Sequence, residues 1–133
     1  MVRIGLAVVA CGLALGAAAP LDRATAQRTF FGIDMSGLME GEPPIAWREC
    51  VDPQGITAYW FDGEFDRGRL RVDDAGALCF SYESSSYQRE ACFAAFREGR
   101  GQYRFVSLSG DSVFVTRQFV RGVKSCPTAA PVS

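Results

Sequence analysis

Histidine is absent from this chain of 133 residues, and Lys124 is its single lysine. Because histidine is the most common general base and a frequent metal ligand, its absence excludes hydrolases of the Ser-His-Asp and Cys-His types. Basic and acidic residues nearly balance, at 14 and 15, and they form no basic cluster of the kind that binds nucleic acid. We therefore expect no nucleic-acid partner.

Long apolar runs are also absent after residue 19, so no transmembrane span is expected. The one apolar run, Ile4–Ala19, follows Arg3 and is too short and too rich in Ala and Gly to hold the chain in a bilayer. Ala24-Thr25-Ala26 then supplies the small-x-small site that signal peptidase reads. The pattern predicts a signal peptide over residues 1–26 and a periplasmic or secreted product.

Cysteine is more informative than any other residue type here. A loose lipoprotein box at residues 8–11 would place a lipid on Cys11, but it lies in the middle of the apolar run, so we favour an ordinary signal. The other four cysteines are Cys50, Cys79, Cys92 and Cys126. They lack the paired spacing of structural zinc sites, and an exported protein meets oxidising conditions. We expect two disulfide bonds, no metal and no cofactor.

Strand patterns dominate the rest of the chain, and no segment shows helical i, i+3, i+4 periodicity over three turns. Seven short runs are rich in aromatic and β-branched residues, with turn residues between them. They are Trp47–Val51, Ile56–Phe61, Arg69–Val72, Ala77–Glu83, Glu90–Phe96, Gln102–Leu108 and Val113–Val120. The spacing predicts an all-β fold, a single small antiparallel meander that closes into a barrel or sandwich of about 7 strands.

The strand pattern outlines one β domain over residues 47–126. Residues 27–46 are expected to be an N-terminal extension or a first strand, and within them residues 30–33 are either a strand or a plug over one barrel mouth. Residues 127–133 are expected to form a flexible tail.

Turn chemistry predicts the register in the middle of the chain. A type I turn closed by glycine at residues 73–76 pairs Val72 with Leu78. A two-residue loop at Ser85-Ser86 and a second glycine-closed turn at residues 98–101 extend the same pattern. Ten apolar residues then share one face: Leu70, Val72, Leu78, Phe80, Tyr82, Ala91, Phe93, Ala95, Tyr103 and Phe105. A slip of one residue would turn a whole strand to the wrong side.

The same register predicts the disulfide connectivity. It places Cys79 directly across from Cys92, at a separation that a disulfide can bridge. Cys50, at the end of the first clear strand, is then left for Cys126, just after the last one. Their bond would tie the two ends of the meander together.

Three acidic residues alternate through a glycine-bearing loop. Asp62, Glu64 and Asp66 could hold calcium through oxygen ligands, or two of them could act as an acid and base pair as in glycosidases. The spacing matches no complete EF-hand loop. We favour a solvated polar loop without catalytic or metal-binding residues.

Aromatic and arginine residues concentrate between residues 47 and 71. The candidate binding residues are Tyr59, Phe61, Arg69 and Arg71, because aromatic and arginine side chains dominate binding hot spots. Alternation offers another interpretation, in which the aromatic side chains are core and the arginines lie on the polar face.

The stretch from Trp47 to Phe105 resembles small exported alphaproteobacterial proteins of uncharacterised function. The similarity lies in the Gly-Ala-Leu-Cys-Phe run of residues 76–80 and the Cys92-Phe93 pair. In that family a Gly-x-Leu-Cys-aromatic strand is followed by a Cys-aromatic strand in an antiparallel β domain. The resemblance implies fold, compartment and disulfide, and it implies no catalytic residue.

We interpret the chain as a monomeric, non-catalytic binding module of the cell envelope or periplasm. Its partner would be a protein, a glycan or a small ligand. The alternative is a small inhibitor of a periplasmic or host enzyme, because rigid disulfide-braced loops lose little entropy on binding. A cavity above about 300 Å³ inside the barrel would favour a ligand binder, whereas a filled core with an exposed apolar loop would favour the inhibitor.

Overall fold

The computed structural model describes residues 18–84 and 90–129. In this part the chain forms one short helix and eight strands that close into an antiparallel barrel in sequence order. The elements are α1 (Arg23–Thr29), β1 (Ile33–Met39), β2 (Ile45–Val51), β3 (Ile56–Phe61), β4 (Glu64–Val72), β5 (Leu78–Tyr82), β6 (Ala91–Gly99), β7 (Gln102–Ser107) and β8 (Val113–Arg121). The predicted all-β fold is confirmed, and the barrel rather than the sandwich is observed.

The strand added to the seven predicted runs is β1, which lies within residues 27–46. It pairs with β2 on one side and with β8 on the other, and so closes the barrel. Gly37 interrupts its apolar pattern because the backbone of Val115 approaches so closely that a Cβ would clash with the Val115 carbonyl group. A glycine forced by close approach weakens the strand signal in the sequence.

The predicted registers are confirmed. Val72 lies opposite Leu78, and Arg97 lies opposite Tyr103. The ten residues predicted to share a face lie on the inward face, and most are buried in the core. The loop predicted at Ser85-Ser86 lies outside the described residues, but the pairing it implied, Cys79 opposite Cys92, is present.

Both predicted disulfides form. Cys50 bonds to Cys126 with a Cα–Cα distance of 5.8 Å, and Cys79 bonds to Cys92 at 4.1 Å. The first bond fastens the segment after β8 to the outer face of β2, where it covers Ala58 of the neighbouring strand. The second links adjacent positions of β5 and β6.

The helix α1 was not predicted, because two turns are too few to show helical periodicity. Asp22 caps it by accepting a hydrogen bond from the Thr25 backbone N–H at 2.8 Å. The Leu21 backbone N–H donates to the Ala95 carbonyl at 2.8 Å, which joins the segment to β6. Phe30 follows the helix and is fully buried, with its ring 5.0 Å from Tyr103. Of the two alternatives for residues 30–33, the plug applies to Phe30 and the strand begins at Ile33.

The predicted cleavage point between Ala26 and Gln27 falls inside α1, and Ala26 is fully buried in the core. Residues 1–17 of the predicted signal peptide and residues 130–133 of the predicted tail lie outside the described residues. Within the described part of the chain, no helix is long and apolar enough to cross a membrane.

A chain that begins at Gln27 is expected to be less stable than one that begins at Pro20, by about 2–4 kcal/mol. The shorter chain lacks the Asp22 cap, worth about 1 kcal/mol. It also lacks the packing of Leu21, worth roughly 1.5–3 kcal/mol if fully buried. Urea denaturation of the two chains measures the difference, and equal midpoints would show that the first half of α1 contributes nothing.

The two disulfides are expected to contribute unequally to stability. Cys50–Cys126 spans 76 residues and Cys79–Cys92 spans 13. The chain-entropy relation assigns roughly 4.5 kcal/mol to the longer loop and roughly 3 kcal/mol to the shorter one. Double Cys→Ala variants of each pair, compared by urea denaturation, test this order. A larger loss for the Cys79/Cys92 variant would contradict it.

Candidate functional site

The candidate site is a cavity of about 220 Å³ inside the barrel. Ala91, at the start of β6, and Ser112, just before β8, place it toward the end of the barrel opposite α1. Seven aromatic side chains form most of its wall: Trp47, Tyr59, Phe80, Tyr82, Phe93, Phe105 and Phe114. An eight-stranded barrel is just wide enough to be filled by side chains or to hold one small molecule, and here part of the interior stays open.

The cavity walls are held by contacts among their own rings. Trp47 packs edge-on against Phe105 and Phe114, with ring centroids 6.2 and 5.9 Å apart. Tyr59 stacks on Tyr82 at 5.0 Å. Because each ring packs against another, the positions of the cavity walls are mutually constrained.

Glu49 is the one carboxylic acid among the described residues that line the cavity. It lies on β2 between Trp47 and Val51, which also face inward, and it is only 2% exposed. Its Oε2 accepts a hydrogen bond from the Tyr82 hydroxyl at 2.9 Å. Its Oε1 is buried and makes no hydrogen bond of good geometry, although the Thr57 hydroxyl acts on the same carboxyl group.

Burial raises the pKa of Glu49 well above its usual range. The hydrogen bond from Tyr82 opposes this effect, and the nearby charge of Asp66 adds to it. Burial, followed by the charge of Glu49, also raises the pKa of Tyr59 and of Tyr82, so both phenols stay neutral hydrogen-bond donors. The site therefore favours a protonated Glu49 while the cavity holds no compensating charge.

Two other buried polar atoms of the described chain lack a partner, Nε1 of Trp47 and Oγ1 of Thr57. Trp47 lines the cavity, and Thr57 lies on β3 beside the strand pair that carries Glu49. A buried polar group without a hydrogen bond costs about 1–3 kcal/mol. Such groups in a cavity wall mark positions where a bound molecule would complete the hydrogen bonding.

Gly68 of β4 is the position that lets Tyr82 reach Glu49. A Cβ at residue 68 would lie 2.8 Å from Cδ1 of the Tyr82 ring. Any larger residue would push the ring away from its position beside Glu49.

The structure divides the predicted binding residues between the two faces of the barrel wall. Tyr59 lines the cavity, and Phe61 lies at its edge, stacked 6.0 Å from Tyr59. Arg69 and Arg71 point outward from β4, where Arg71 makes hydrogen bonds of 2.6 and 2.8 Å to Glu90. The four residues therefore do not form one site. Glu49 and Tyr82 complete the cavity. Glu49 could have been identified from the sequence, because period-two alternation along β2 places it on the same face as Trp47 and Val51.

The acidic loop residues do not converge. Asp62 lies in the β3–β4 turn, Glu64 is exposed at the start of β4, and Asp66 accepts hydrogen bonds from the hydroxyl and backbone N–H of Ser84. Among residues 18–84 and 90–129, no group of three or more His, Cys, Asp or Glu could hold a metal ion.

Comparison with family models, with curated proteins and with solved structures finds no match for this chain. Its function has to be inferred from the cavity itself.

The stability of the protein is expected to depend on pH through Glu49. Folding raises the pKa of this carboxyl, so its contribution is full below the unfolded pKa and falls as the pH rises toward the folded pKa. Glu49→Gln removes the titration, so its stability relative to the parent protein should increase as the pH rises from about 4, the unfolded pKa, toward neutral. Urea denaturation across this range measures the trend.

The control is Glu90→Gln, because Arg71 lowers the pKa of Glu90 on the outer face. This variant should lose stability relative to the parent as the pH rises from acid toward neutral. A flat profile for Glu49→Gln would mean that Glu49 ionises in the native state as easily as it does in water.

Proposed function

We propose that this protein is a non-catalytic binding barrel that holds one small molecule in its aromatic cavity. The observation that supports the proposal is the buried carboxyl group of Glu49 in the wall of a cavity lined mostly by aromatic rings. Concave apolar sites with a few convergent polar groups are the usual form of small-molecule sites.

The volume limits the size of the ligand. At about 220 Å³ the cavity is below the volume of about 300 Å³ that was expected to favour a ligand binder, so only a ligand smaller than a drug-sized molecule fits it. An engineered apolar cavity of about 150 Å³ in another protein holds benzene. The cavity here suits one ring, or an aliphatic group of similar bulk, with a short polar substituent.

The compartment agrees with such a role. The two disulfides suggest an oxidising compartment outside the cytoplasm. We place the protein in the periplasm or among secreted proteins, where a monomeric barrel would take up a small molecule of the envelope or its surroundings.

A binding role uses the features that the cavity has. Apolar walls supply affinity, and the Glu49 and Trp47 polar atoms supply orientation. Catalysis by the acidic loop would need two carboxyl groups facing one another across a substrate, whereas Asp66 is hydrogen-bonded to Ser84.

A second candidate function is enzyme inhibition through a loop. Leu108 is 61% exposed at the end of β7, close to the cavity mouth, as an apolar anchor on an inhibitory loop would be. Leu108→Asp would then abolish inhibition of the target enzyme and leave ligand binding in the cavity unchanged.

Cavity binding can be tested with benzyl alcohol as a probe and the two tryptophans as reporters. The indole of Trp47 lines the cavity, whereas Trp60 lies on the outer wall beside Arg48. In a titration followed by NMR, benzyl alcohol should shift the Trp47 indole N–H signal and leave that of Trp60 in place.

Two matched substitutions locate the binding site. Ser112→Phe fills part of the cavity and should weaken benzyl alcohol binding at least about tenfold, since one ring volume is lost. Ser81→Phe adds the same side chain on the exposed outer face of β5 and should leave binding unchanged. Equal affinities for both variants, or no shift of Trp47 in the parent protein, would refute cavity binding.

A further inference from the structure

We propose that the ligand of this cavity is a small organic cation, an ammonium group on a ring or compact aliphatic body, that pairs with the carboxyl group of Glu49. This inference rests on the proposed function and specifies its ligand class. The distribution of charge differs between the inside and the outside of the barrel.

Outside the barrel, several acidic side chains have arginine partners. Arg48 makes two hydrogen bonds to Asp34, of 3.0 and 2.6 Å, and Arg71 makes two to Glu90. Arg104 contacts Glu98 and Glu40 at 2.5 and 2.8 Å. In each of these pairs the arginine balances the negative charge of the carboxyl group beside it.

Inside the cavity the balance is missing. No Arg or Lys is among the described residues that line it, so Glu49 has no cation within reach. Asp66, on β4, is partly buried and adds its negative charge near Glu49, and its hydrogen-bond partners are the N–H groups of Arg67 and Ser84 and the Ser84 hydroxyl. A positive group is therefore the charge that this interior would attract.

The walls suit a cation as well as they suit an apolar group. The faces of aromatic rings are electron-rich, and a cage of several rings is the usual site for ammonium groups. The stacked pair Tyr59 and Tyr82 lies beside Glu49, and the Trp47 indole lies two residues away on the same strand face. Rings on three strands thus line the same cavity as the Glu49 carboxyl group.

A neutral ligand would use the site less completely. It would satisfy Oε1 of Glu49 with one hydrogen bond but leave the cavity without a positive charge. An ammonium ligand donates the same hydrogen bond and also compensates the charge, which makes the bond stronger.

Binding of a cation is coupled to the release of one proton from Glu49. The groups that face Glu49 are Tyr82 from β5, Tyr59 from β3 and Asp66 from β4, and none of them is basic. When an ammonium ion enters, Glu49 ionises and its proton leaves to solvent, while the ligand keeps its own protons. Affinity for the cation should then rise about tenfold per pH unit while free Glu49 is protonated, whereas affinity for a neutral ligand should not rise.

The test compares benzylammonium with benzyl alcohol, which carry the same ring and differ in charge. Both are titrated between pH 5 and 8, with the Trp47 indole N–H as reporter. In the parent protein benzylammonium should bind at least tenfold more tightly than benzyl alcohol at pH 8, and its affinity should increase with pH. Calorimetry at acidic pH in two buffers of different ionisation enthalpy should show proton release for benzylammonium only.

Glu49→Gln should remove the preference for benzylammonium and its pH dependence, so that the two probes bind this variant with similar affinity. Glu90→Gln, an outer-face carboxyl of the same chemistry, should keep both. If benzyl alcohol binds the parent and benzylammonium binds no better, the cation inference is wrong and the proposed function stands. If neither molecule shifts Trp47, both are wrong.

Discussion

The pairing of β1 with β8 is the constraint on which the rest of the structure depends. Without it the meander would be an open sheet with two unpaired edges, and its inward aromatic rings would face water. The pairing requires the close approach of Gly37 to Val115, with a register shift between Ser36 and Gly37. The Cys50–Cys126 bond fastens the segment that follows β8 to β2, beside the same seam.

Closure also sets the width of the interior, and this width explains both the core and the cavity. At the α1 end, Phe30 packs edge-on against Tyr103 and Phe105 and fills the barrel. At the other end no such plug lies among the described residues, and the rings leave about 220 Å³ between them. The buried, half-satisfied carboxyl of Glu49 lowers stability at the end of the barrel that is open. Such a local loss of stability is typical of functional sites, where residues are arranged for binding rather than for packing.

The middle of the barrel was predictable because its signals are local. The glycine-closed turns at residues 73–76 and 98–101 determine the register of their hairpins, and period-two alternation identifies the inward face. The cysteine pairing followed from the same register, because Cys79 and Cys92 are cross-strand neighbours. The weakest signals were those of α1, which is only two turns long, and of β1, where Gly37 breaks the pattern.

The sequence by itself determined the antiparallel meander, the registers in the middle of the chain, the Cys79–Cys92 bond and the aromatic character of the interior, since each depends on neighbours close along the chain or on period-two alternation. The Cys50–Cys126 bond, which spans 76 residues, followed only by elimination. Only the tertiary structure decided which aromatic rings fill the core and which leave space, and it separated Tyr59 and Phe61 from Arg69 and Arg71 across the barrel wall. It also brought the Glu49 carboxyl to Tyr82, 33 residues away. The physical reason is that burial and cavity volume depend on how all eight strands curve around a common axis, and no short segment carries that information.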